Sequence, residues 1–157
     1  MSLNLTPVSA TDGAALDVCR TLLREYQEAL GIDLSFQDFE SELAALPDAY
    51  GEAGGILLLG MDDGAPVCCG GVRSIDGATA ELKRVYVRPA YRKHGYGRVL
   101  VEQLLAFARS HGYARIQLDT LPAMAAARGL YAALGFREIA PYTYNPIPGT
   151  VFLGLAL

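Results

Sequence analysis

A short basic segment with two glycines, Arg-Lys-His-Gly-Tyr-Gly at residues 92–97, lies between a predicted strand and a predicted helix. Residues 80–88 are rich in Val, Leu and Tyr and end at Pro89, whereas residues 97–111 carry apolar side chains at helical spacing. Glycines at such a junction let a ligand approach the backbone, and the free N–H groups of the first helical turn attract anions. The segment therefore predicts a phosphate-binding loop at the carboxyl end of a strand.

Two familiar nucleotide-binding loops do not fit this segment. The dinucleotide motif needs a third glycine where the chain has Leu100, and the Gly-Lys-Ser/Thr of a Walker loop is absent. Four cations crowd the segment in a chain whose net charge is −4, and they are Arg88, Arg92, Lys93 and Arg98. Their concentration at one loop favours an anionic ligand over a purely conformational turn.

The segment resembles the pyrophosphate-binding motif Arg/Gln-x-x-Gly-x-Gly/Ala of the GCN5-related N-acetyltransferases. Its three defining positions are filled by Arg92, Gly95 and Gly97. Residues 127–136 are similar to a second signature of that family, Ala-x-x-x-Tyr-x-x-x-Gly-Phe. The two signatures occur in the family's order and spacing, and the resemblance extends over residues 82–140.

The resemblance implies an α/β (α+β mixed) fold: a mixed, mostly antiparallel sheet flanked by helices, in the order β-α-α-β-β-β-α-β-α-β-β. A chain of 157 residues fits one domain, so we expect residues 1–157 to form a single N-acetyltransferase domain. Asp12 and Gly31 bound the first predicted helix, Ser35 begins a second one that stops at Pro47, and residues 123–134 form the last. The predicted strands comprise residues 3–8, 54–61, 67–75, 80–88, 114–119, 136–139 and 151–157.

The resemblance further implies acetyl-CoA as the acetyl-donor cosubstrate. Main-chain groups of the strand before the loop would bind the pantetheine, and the N–H groups after it would bind the pyrophosphate. The predicted cofactor-binding residues are Val85, Tyr86, Val87, Arg92, Lys93, His94, Gly95, Tyr96, Gly97 and Arg98. Many family members carry Asn where this chain has Met124, so one polar contact to the cofactor is expected to be missing.

Acetyl transfer to an amine requires a neutral amine and a proton for the departing thiolate. In the family a phenol at the position of Tyr131 points at the cofactor's sulfur, which implies that Tyr131 is the acid; the alternative is a core aromatic. Glu81 precedes Arg92 by 11 residues, the spacing of the glutamate base in the histone-acetylating branch of the family. An ion pair between Glu81 and Lys83 is the alternative for this carboxylate.

The acceptor side is less constrained by the sequence. Glu25, Tyr26, Tyr142 and Tyr144 are the predicted wall residues. Residues 1–52 have a net charge of −8 and the remainder +4, which suits an anionic cofactor and a cationic amine but is also typical of helices with acidic solvent faces. We expect a small-molecule amine or an amino-acid-like acceptor; a peptide or protein acceptor and a non-catalytic acyl-CoA-binding module are the alternatives.

Other function classes are disfavoured. The cations do not form a stripe, which argues against nucleic acid, and the longest strongly apolar stretch, residues 56–61, is far too short to span a membrane. No Cys/His spacing indicates a metal, and no secretory signal is visible. Cys19, Cys68 and Cys69 predict buried thiols in a reducing cytoplasm rather than disulfides. A homodimer is left open.

Overall fold

A twisted seven-stranded sheet with helices on both faces organises the protein, in a computed structural model that describes residues 2–51, 54–122 and 124–157. The elements are β1 (Leu3–Pro7), α1 (Gly13–Leu30), a 3₁₀ turn (Ser35–Gln37), α2 (Phe39–Ala44), β2 (Ile56–Asp62), β3 (Ala65–Ser74), β4 (Thr79–Val87), a 3₁₀ turn (Pro89–Tyr91), α3 (Tyr96–Ser110), β5 (Arg115–Thr120), α4 (Ala125–Ala133), β6 (Arg137–Glu138) and β7 (Val151–Ala156). The predicted order of helices and strands is confirmed.

The sheet has the strand order β1-β2-β3-β4-β5-β7-β6. Within the described strands, β4 and β5 form the one parallel pair, and every other neighbouring pair is antiparallel. A parallel pair needs a crossover connection, which α3 supplies. The predicted fold class, a mixed and mostly antiparallel sheet flanked by helices, is confirmed.

The helix boundaries follow local signals at α1 but not at the second predicted helix. Asp12 caps α1 by accepting a hydrogen bond from the Ala15 N–H, and Gly31 ends it with a φ of +63°. The single helix predicted from Ser35 to Pro47 is wrong, because Asp38 adopts a φ of +56° and separates the 3₁₀ turn from the short α2. The predicted start of the last helix, Ala123, lies outside the described residues.

Two apolar layers cover the two faces of the sheet. Helices α3 and α4 pack on one face, with Leu100, Leu104 and Tyr131 buried against the strands. Helices α1 and α2 pack on the other face, where Leu22 and Phe39 are buried. Strand alternation along β4 therefore directs Ala80 and Leu82 towards α3, and Glu81 and Lys83 towards the side of α1 and α2.

The sheet splits between β4 and β5. Their pairing ends at Glu81 and Gln117, although both strands continue. A bulge bends β4 at this point, because Arg84 and Val85 lie opposite the single β3 residue Gly70. Arg84 has a φ of +60°, an uncommon conformation for a residue with a side chain. The bulge leaves the later part of β4 without a strand partner on its β5 side.

The side chain of Arg84 fixes this bulge to the opposite helical layer. Its guanidinium donates to both carboxylate oxygens of Glu42 at 2.9 and 3.2 Å and to Oε1 of Gln37 at 2.7 Å. It also lies over the ring of Phe39, 4.9 Å from the centroid. Because the pair is buried, these charge-assisted bonds offset the cost of removing both charges from water.

Candidate active site

The loop between β4 and α3 presents a row of free backbone donors. Among the described residues, no acceptor faces the N–H groups of residues 93–98, whereas the Val99 N–H donates to the Gly95 carbonyl and begins the helical pattern. Arg92, Lys93, His94, Gly95 and Arg98 are exposed. Free N–H groups at the positive end of a 15-residue helix form an anion-binding concavity.

The two positions of this loop that carry glycine do so for different physical reasons. Gly95 has a φ of +79° and turns the chain into α3, a conformation that disfavours side chains. Gly97 is helical, and a Cβ built on it would meet only ordinary contacts, 3.6 Å from Val87 and 3.7 Å from Leu130. Since neither conformation nor internal packing requires a glycine at position 97, close approach of a ligand is the remaining physical reason for one.

The cations near the loop divide into paired and less constrained groups. Arg88 forms an ion pair with Glu25 at 2.6 Å, and Arg98 forms one with Glu102 at 2.7 Å. The Nε–H of Arg92 donates to the Val87 carbonyl at 3.0 Å, which folds its side chain back towards β4. Lys93 has a φ of +69° and an exposed side chain. Arg92 and Lys93 are therefore better placed than Arg88 to meet an anion.

Tyr96 anchors the start of α3 to a neighbouring hairpin. Its hydroxyl donates to Oδ2 of Asp62 at 2.7 Å, and the Ser2 N–H donates to Oδ1 at 3.2 Å. The hydrogen bond from Tyr96 holds the pKa of Asp62 below its ordinary range, and the same contact raises the pKa of Tyr96 to about 12. The anion-binding loop is thus held in position by a contact 34 residues away in sequence.

A cavity of about 40 Å³ lies at the split between β4 and β5. Its lining comes from both helical layers and both strands: Tyr26, Gln37, Leu82, Lys83, Arg84, Val85, Leu118, Asp119, Thr120, Met124 and Tyr131. Its volume suits a few water-sized groups. The cavity is therefore too small to enclose a whole acyl-CoA molecule.

Tyr131, the predicted acid, lines this cavity from α4. Its ring packs on Phe136, with 5.5 Å between the centroids, and only 5% of the residue is exposed. In the described part of the chain no polar group is hydrogen-bonded to its hydroxyl, yet no described polar side-chain atom is both buried and unpartnered, so the hydroxyl retains access to solvent. Burial raises the pKa of Tyr131, which keeps the phenol protonated at neutral pH.

Glu81, the predicted base, immediately precedes Leu82, the first β4 residue that lines the cavity. Its exposed fraction is 2%, and its two oxygens have different partners. Oε1 accepts from Nε of Arg73 at 2.6 Å, and Oε2 accepts from the Tyr142 hydroxyl at 2.7 Å. The cation paired with Glu81 is therefore Arg73 on β3, opposite it in register, and not the Lys83 considered from the sequence. Burial raises the pKa of Tyr142, with the charge of Glu81 as the next cause.

Of the four predicted acceptor-side residues, Tyr26 alone lines the cavity. Tyr142 contacts Glu81. Tyr144 is 73% exposed and meets Phe36 edge-on, which links the loop before β7 to the turn before α2. Glu25, by contrast, is bonded to Arg88 and to the Tyr86 hydroxyl and does not line the cavity.

Sequence reasoning missed several polar residues of the cavity. Asp119 and Thr120 end β5, and Gln37 comes from the 3₁₀ turn before α2. Asp119 accepts a hydrogen bond from the Asn145 side chain at 3.0 Å. The position of Asp119 at the carboxyl end of a parallel strand was a signal that could have identified it, because ligands bind at that end of such strands.

Met124 also lines the cavity, at the position where the resemblance expects an Asn. Its sulfur accepts a hydrogen bond from the Thr120 hydroxyl at 3.8 Å. A thioether accepts hydrogen bonds only weakly and cannot donate them. Met124 therefore offers the cavity an apolar surface where an amide would offer two donors.

A larger groove of about 490 Å³ lies on another side of α4, between this helix and strands β6 and β7. None of the site residues predicted from the sequence lines it. In the described ranges, no group of three or more His, Cys, Asp or Glu side chains could hold a metal ion, and no helix is long and apolar enough to cross a membrane. The three cysteines are buried, and burial raises the pKa of Cys19 and of Cys68 to about 12.

Comparison with known families agrees with this geometry. The model of the acetyltransferase (GNAT) family matches residues 16–136, a range that includes the anion-binding loop, the split and Tyr131. The chain belongs to the GNAT acetyltransferase family. The predicted resemblance is confirmed, and so is the prediction of an acyltransferase.

Individual relatives support the same conclusion. An uncharacterized N-acetyltransferase of Schizosaccharomyces pombe is 37% identical over 144 residues, which cover 90% of this chain and 88% of the relative. Another from Dictyostelium discoideum is 28% identical, with 90% of this chain and 94% of the relative covered. Both relatives are matched over nearly their whole length.

Solved GNAT structures share the fold. An acetyltransferase from Streptococcus agalactiae superposes with a TM-score of 0.83 at 22% identity, covering 99% of this chain and 98% of that one. A GNAT acetyltransferase from Elizabethkingia anophelis with acetyl-CoA bound has a TM-score of 0.69 at 20% identity, covering 99% and 98%. Another protein with this fold thus binds acetyl-CoA.

Proposed function

We propose that this GNAT protein transfers the acetyl group of acetyl-CoA to the primary amine of a small or amino-acid-like acceptor, by direct attack of the amine on the thioester. One observation carries the proposal: β4, the strand that leads into the loop with free N–H groups, is also the strand that separates from β5, and Tyr131 lines the cavity at that split. We assign this function to residues 1–157 as one domain.

The donor side is assigned to backbone groups. The N–H groups of residues 93–98 fit the pyrophosphate, with Arg92 and Lys93 adding charge, and Gly97 leaves space for its close approach. The unpaired edge of β4 at Val85, Tyr86 and Val87 fits the amide groups of the pantetheine arm, which would extend it like an added strand. Bound acetyl-CoA supplies an acetyl group activated as a thioester.

Tyr131 is assigned to the thiol side of the reaction. As the carbon–nitrogen bond forms and the carbon–sulfur bond breaks, negative charge passes to the sulfur. A phenol with a raised pKa keeps its proton until that charge develops, so it donates a hydrogen bond to the sulfur throughout the reaction. The proton that ends on the sulfur comes from Tyr131 and is replaced by the second proton of the attacking nitrogen, which leaves as the amide forms; the first proton has left the ammonium before the attack.

Glu81 and Tyr142 are assigned to the amine side. An alkylammonium with a pKa near 10 must lose a proton before it attacks. The Tyr142 hydroxyl donates to Glu81, so it can accept a proton from the amine through water while passing its own to the carboxylate. Tyr26 and Tyr144 are assigned to the wall of the acceptor groove, and the Arg88–Glu25 pair supports that wall from the α1 side.

We further propose a cytoplasmic location. Three free cysteines support it, because such thiols persist in a reducing compartment. Recovery of the natural protein in the periplasmic or secreted fraction of its cells would contradict this part.

The function is tested by release of CoA thiol from acetyl-CoA in the presence of a library of amines, with calorimetry for CoA binding. We expect CoA to bind and at least one free amine to be acetylated, as identified by the mass of its product. CoA binding without turnover on any amine or peptide would contradict the acetyl-transfer proposal. Faster turnover on a peptide amine than on every free amine would replace the small acceptor with a peptide.

A further inference from the structure

Lys83 differs from the other cations on the acceptor side of the sheet. Arg73 pairs with Glu81, and Arg84 pairs with Glu42. No ion pair or hydrogen bond joins the side chain of Lys83 to any residue within 2–51, 54–122 or 124–157, although this side chain is partly buried and lines the cavity. Lys83 is therefore a cation at the candidate active site with no carboxylate in ion-pair contact among the described residues.

The register of the sheet fixes the direction of the Lys83 side chain. Lys83 lies opposite Gly71, and a Cβ built on Gly71 would strike the ring of Tyr50 in the α1 and α2 layer. Directly opposed residues point to the same face, so Lys83 also points to that face. Asp119 has the equivalent position on β5, two residues beyond the last paired residue, Gln117. Lys83 and Asp119 thus flank the mouth of the split.

The surroundings of Lys83 disfavour an ammonium that has no close partner. Burial lowers the pKa of Lys83 and the neighbouring charge of Arg84 lowers it further, while the charges of Glu81 and Glu42 act in the opposite direction without reversing the shift. A partly buried ammonium without a partner is unfavourable, and a carboxylate brought next to it by a ligand would reverse that cost. Across the split, the carboxylate of Asp119 has only the neutral Asn145 amide as a hydrogen-bond partner among described side chains.

We propose that Lys83 binds a carboxylate of the acceptor while Asp119 attracts its amine, so that the preferred substrates are amines with a nearby carboxylate, such as free amino acids. This inference rests on the proposed acetyl transfer and names the substrate class of the same site. Opposite charges on the two strands match a zwitterion and are mismatched to a simple diamine.

The test compares free amino acids with the matching amino-acid amides in the thiol-release reaction. An amide keeps the amine and side chain and loses only the negative charge. It also lowers the pKa of the neighbouring amine, so the neutral amine is more abundant in the amide and intrinsic reactivity favours it. We expect the best amino acid to exceed its amide by at least tenfold in kcat/KM, a preference that only binding of the carboxylate can produce.

Two variants isolate the role of Lys83. Lys83→Met keeps most of the side-chain stem and should erase the preference by slowing the reaction of the amino acid at least tenfold more than that of the amide. Lys83→Arg should retain part of the preference. Arg109→Met removes one positive charge at the far end of α3 and serves as the matched control. Unchanged CoA affinity by calorimetry shows that each variant is folded.

A binding measurement keeps this inference separable from the acetyl-transfer proposal. The affinities of N-acetyl amino acids and of their amides for the CoA-bound protein do not require turnover. A higher affinity for the acids that is lost in Lys83→Met supports the inference even where no amine is acetylated. Equal affinities within every pair, or an equal loss for acids and amides in Lys83→Met, would overturn it.

Discussion

The anion-binding loop and the proposed acceptor groove, which comprises the cavity lining together with Glu81, Tyr142, Tyr144 and Asn145, are built by opposite means. The loop uses one continuous segment, residues 92–98, and its binding groups belong to the backbone. The groove uses side chains from β4, β5, α1, the turn before α2 and the loop before β7, and most of them are already bonded to one another. Recognition by backbone depends on local conformation, whereas recognition by side chains depends on strand register and packing.

This difference allows the donor half of the proposed site to bind the same cofactor in many related proteins, while the acceptor half differs between them in its side chains. A helix N-terminus binds phosphate through backbone N–H groups, so a loop of this kind requires little more in its sequence than two glycines. The charge pattern of the groove depends on which side chains remain unpaired, and in the described part of the chain Lys83 is such a cation beside the cavity. If the proposed roles hold, a side-chain substitution at Lys83 or Asp119 changes the preferred acceptor and leaves the backbone groups of the donor side in place.

The largest expected effect is at the junction of the two regions. Tyr131→Phe keeps the packing on Phe136 and removes the hydroxyl, so turnover should fall by roughly 10²–10⁴-fold with CoA affinity little changed. Steady-state kinetics and calorimetry on the folded variant check this. Tyr113→Phe is the control, because it loses a buried hydroxyl bonded to the Gly54 carbonyl, away from the cavity, and should retain its turnover. A wild-type rate for Tyr131→Phe would leave Tyr131 as a core aromatic.

A substitution in the loop alone should weaken binding of the acetyl donor and not binding of the acceptor. Gly97→Glu introduces a carboxylate at the free N–H groups, while its Cβ meets only ordinary contacts, so CoA affinity should fall by well over tenfold in a folded protein. Calorimetry with CoA measures the loss. Gly77→Glu adds the same charge in an exposed turn with open space around it and should bind CoA normally. Equal affinities for the two variants would remove the loop from the binding site.

A substitution in the groove alone should be sensitive to pH. Glu81→Gln removes a proton acceptor on the amine side, so turnover should fall roughly tenfold or more near pH 6.5 and recover partly near pH 9, where neutral amine is more abundant. The pH profile of kcat/KM measures this, with Glu138→Gln on the exposed β6 as the control. A loss that is the same at every pH would indicate that Glu81 acts only by holding Arg73 and Tyr142.

The smallest expected effect tests how far the loop depends on distant contacts. Asp62 has a folded-state pKa below its ordinary value, so its ionised form stabilises the fold above pH of about 4, and this stabilisation disappears as the pH falls through the lower folded-state pKa. Tyr96→Phe removes the main cause. Its midpoint of thermal unfolding should be lower than that of the wild type near pH 6, and the two midpoints should converge as Asp62 becomes protonated in acid. A gap that stays constant as the pH falls would mean that the hydroxyl acts independently of the charge of Asp62.

Local signals determined much of what the sequence could predict. The order of elements, the limits of α1 and the position of Gly95 depend on caps, periodicity and positive φ, which neighbouring residues decide. The second helix was predicted wrongly because a left-handed Asp38 interrupts it, and Asp38 differs little in sequence from a normal helical surface residue.

By itself, the sequence determined the glycine turn between β4 and α3 and the place of Tyr131 on α4, because each depends on a few residues close together in the chain. Only the tertiary structure decided the partners of Glu81, the fixation of the Arg84 bulge by Glu42, and the lack of an ion-pair partner for Lys83 within the described residues. These contacts join residues from separate strands and helices, and strand alternation permits several cations to reach the same carboxylate. Which of them does so depends on register and on the bulge in β4, and neither feature has a local signature in the chain.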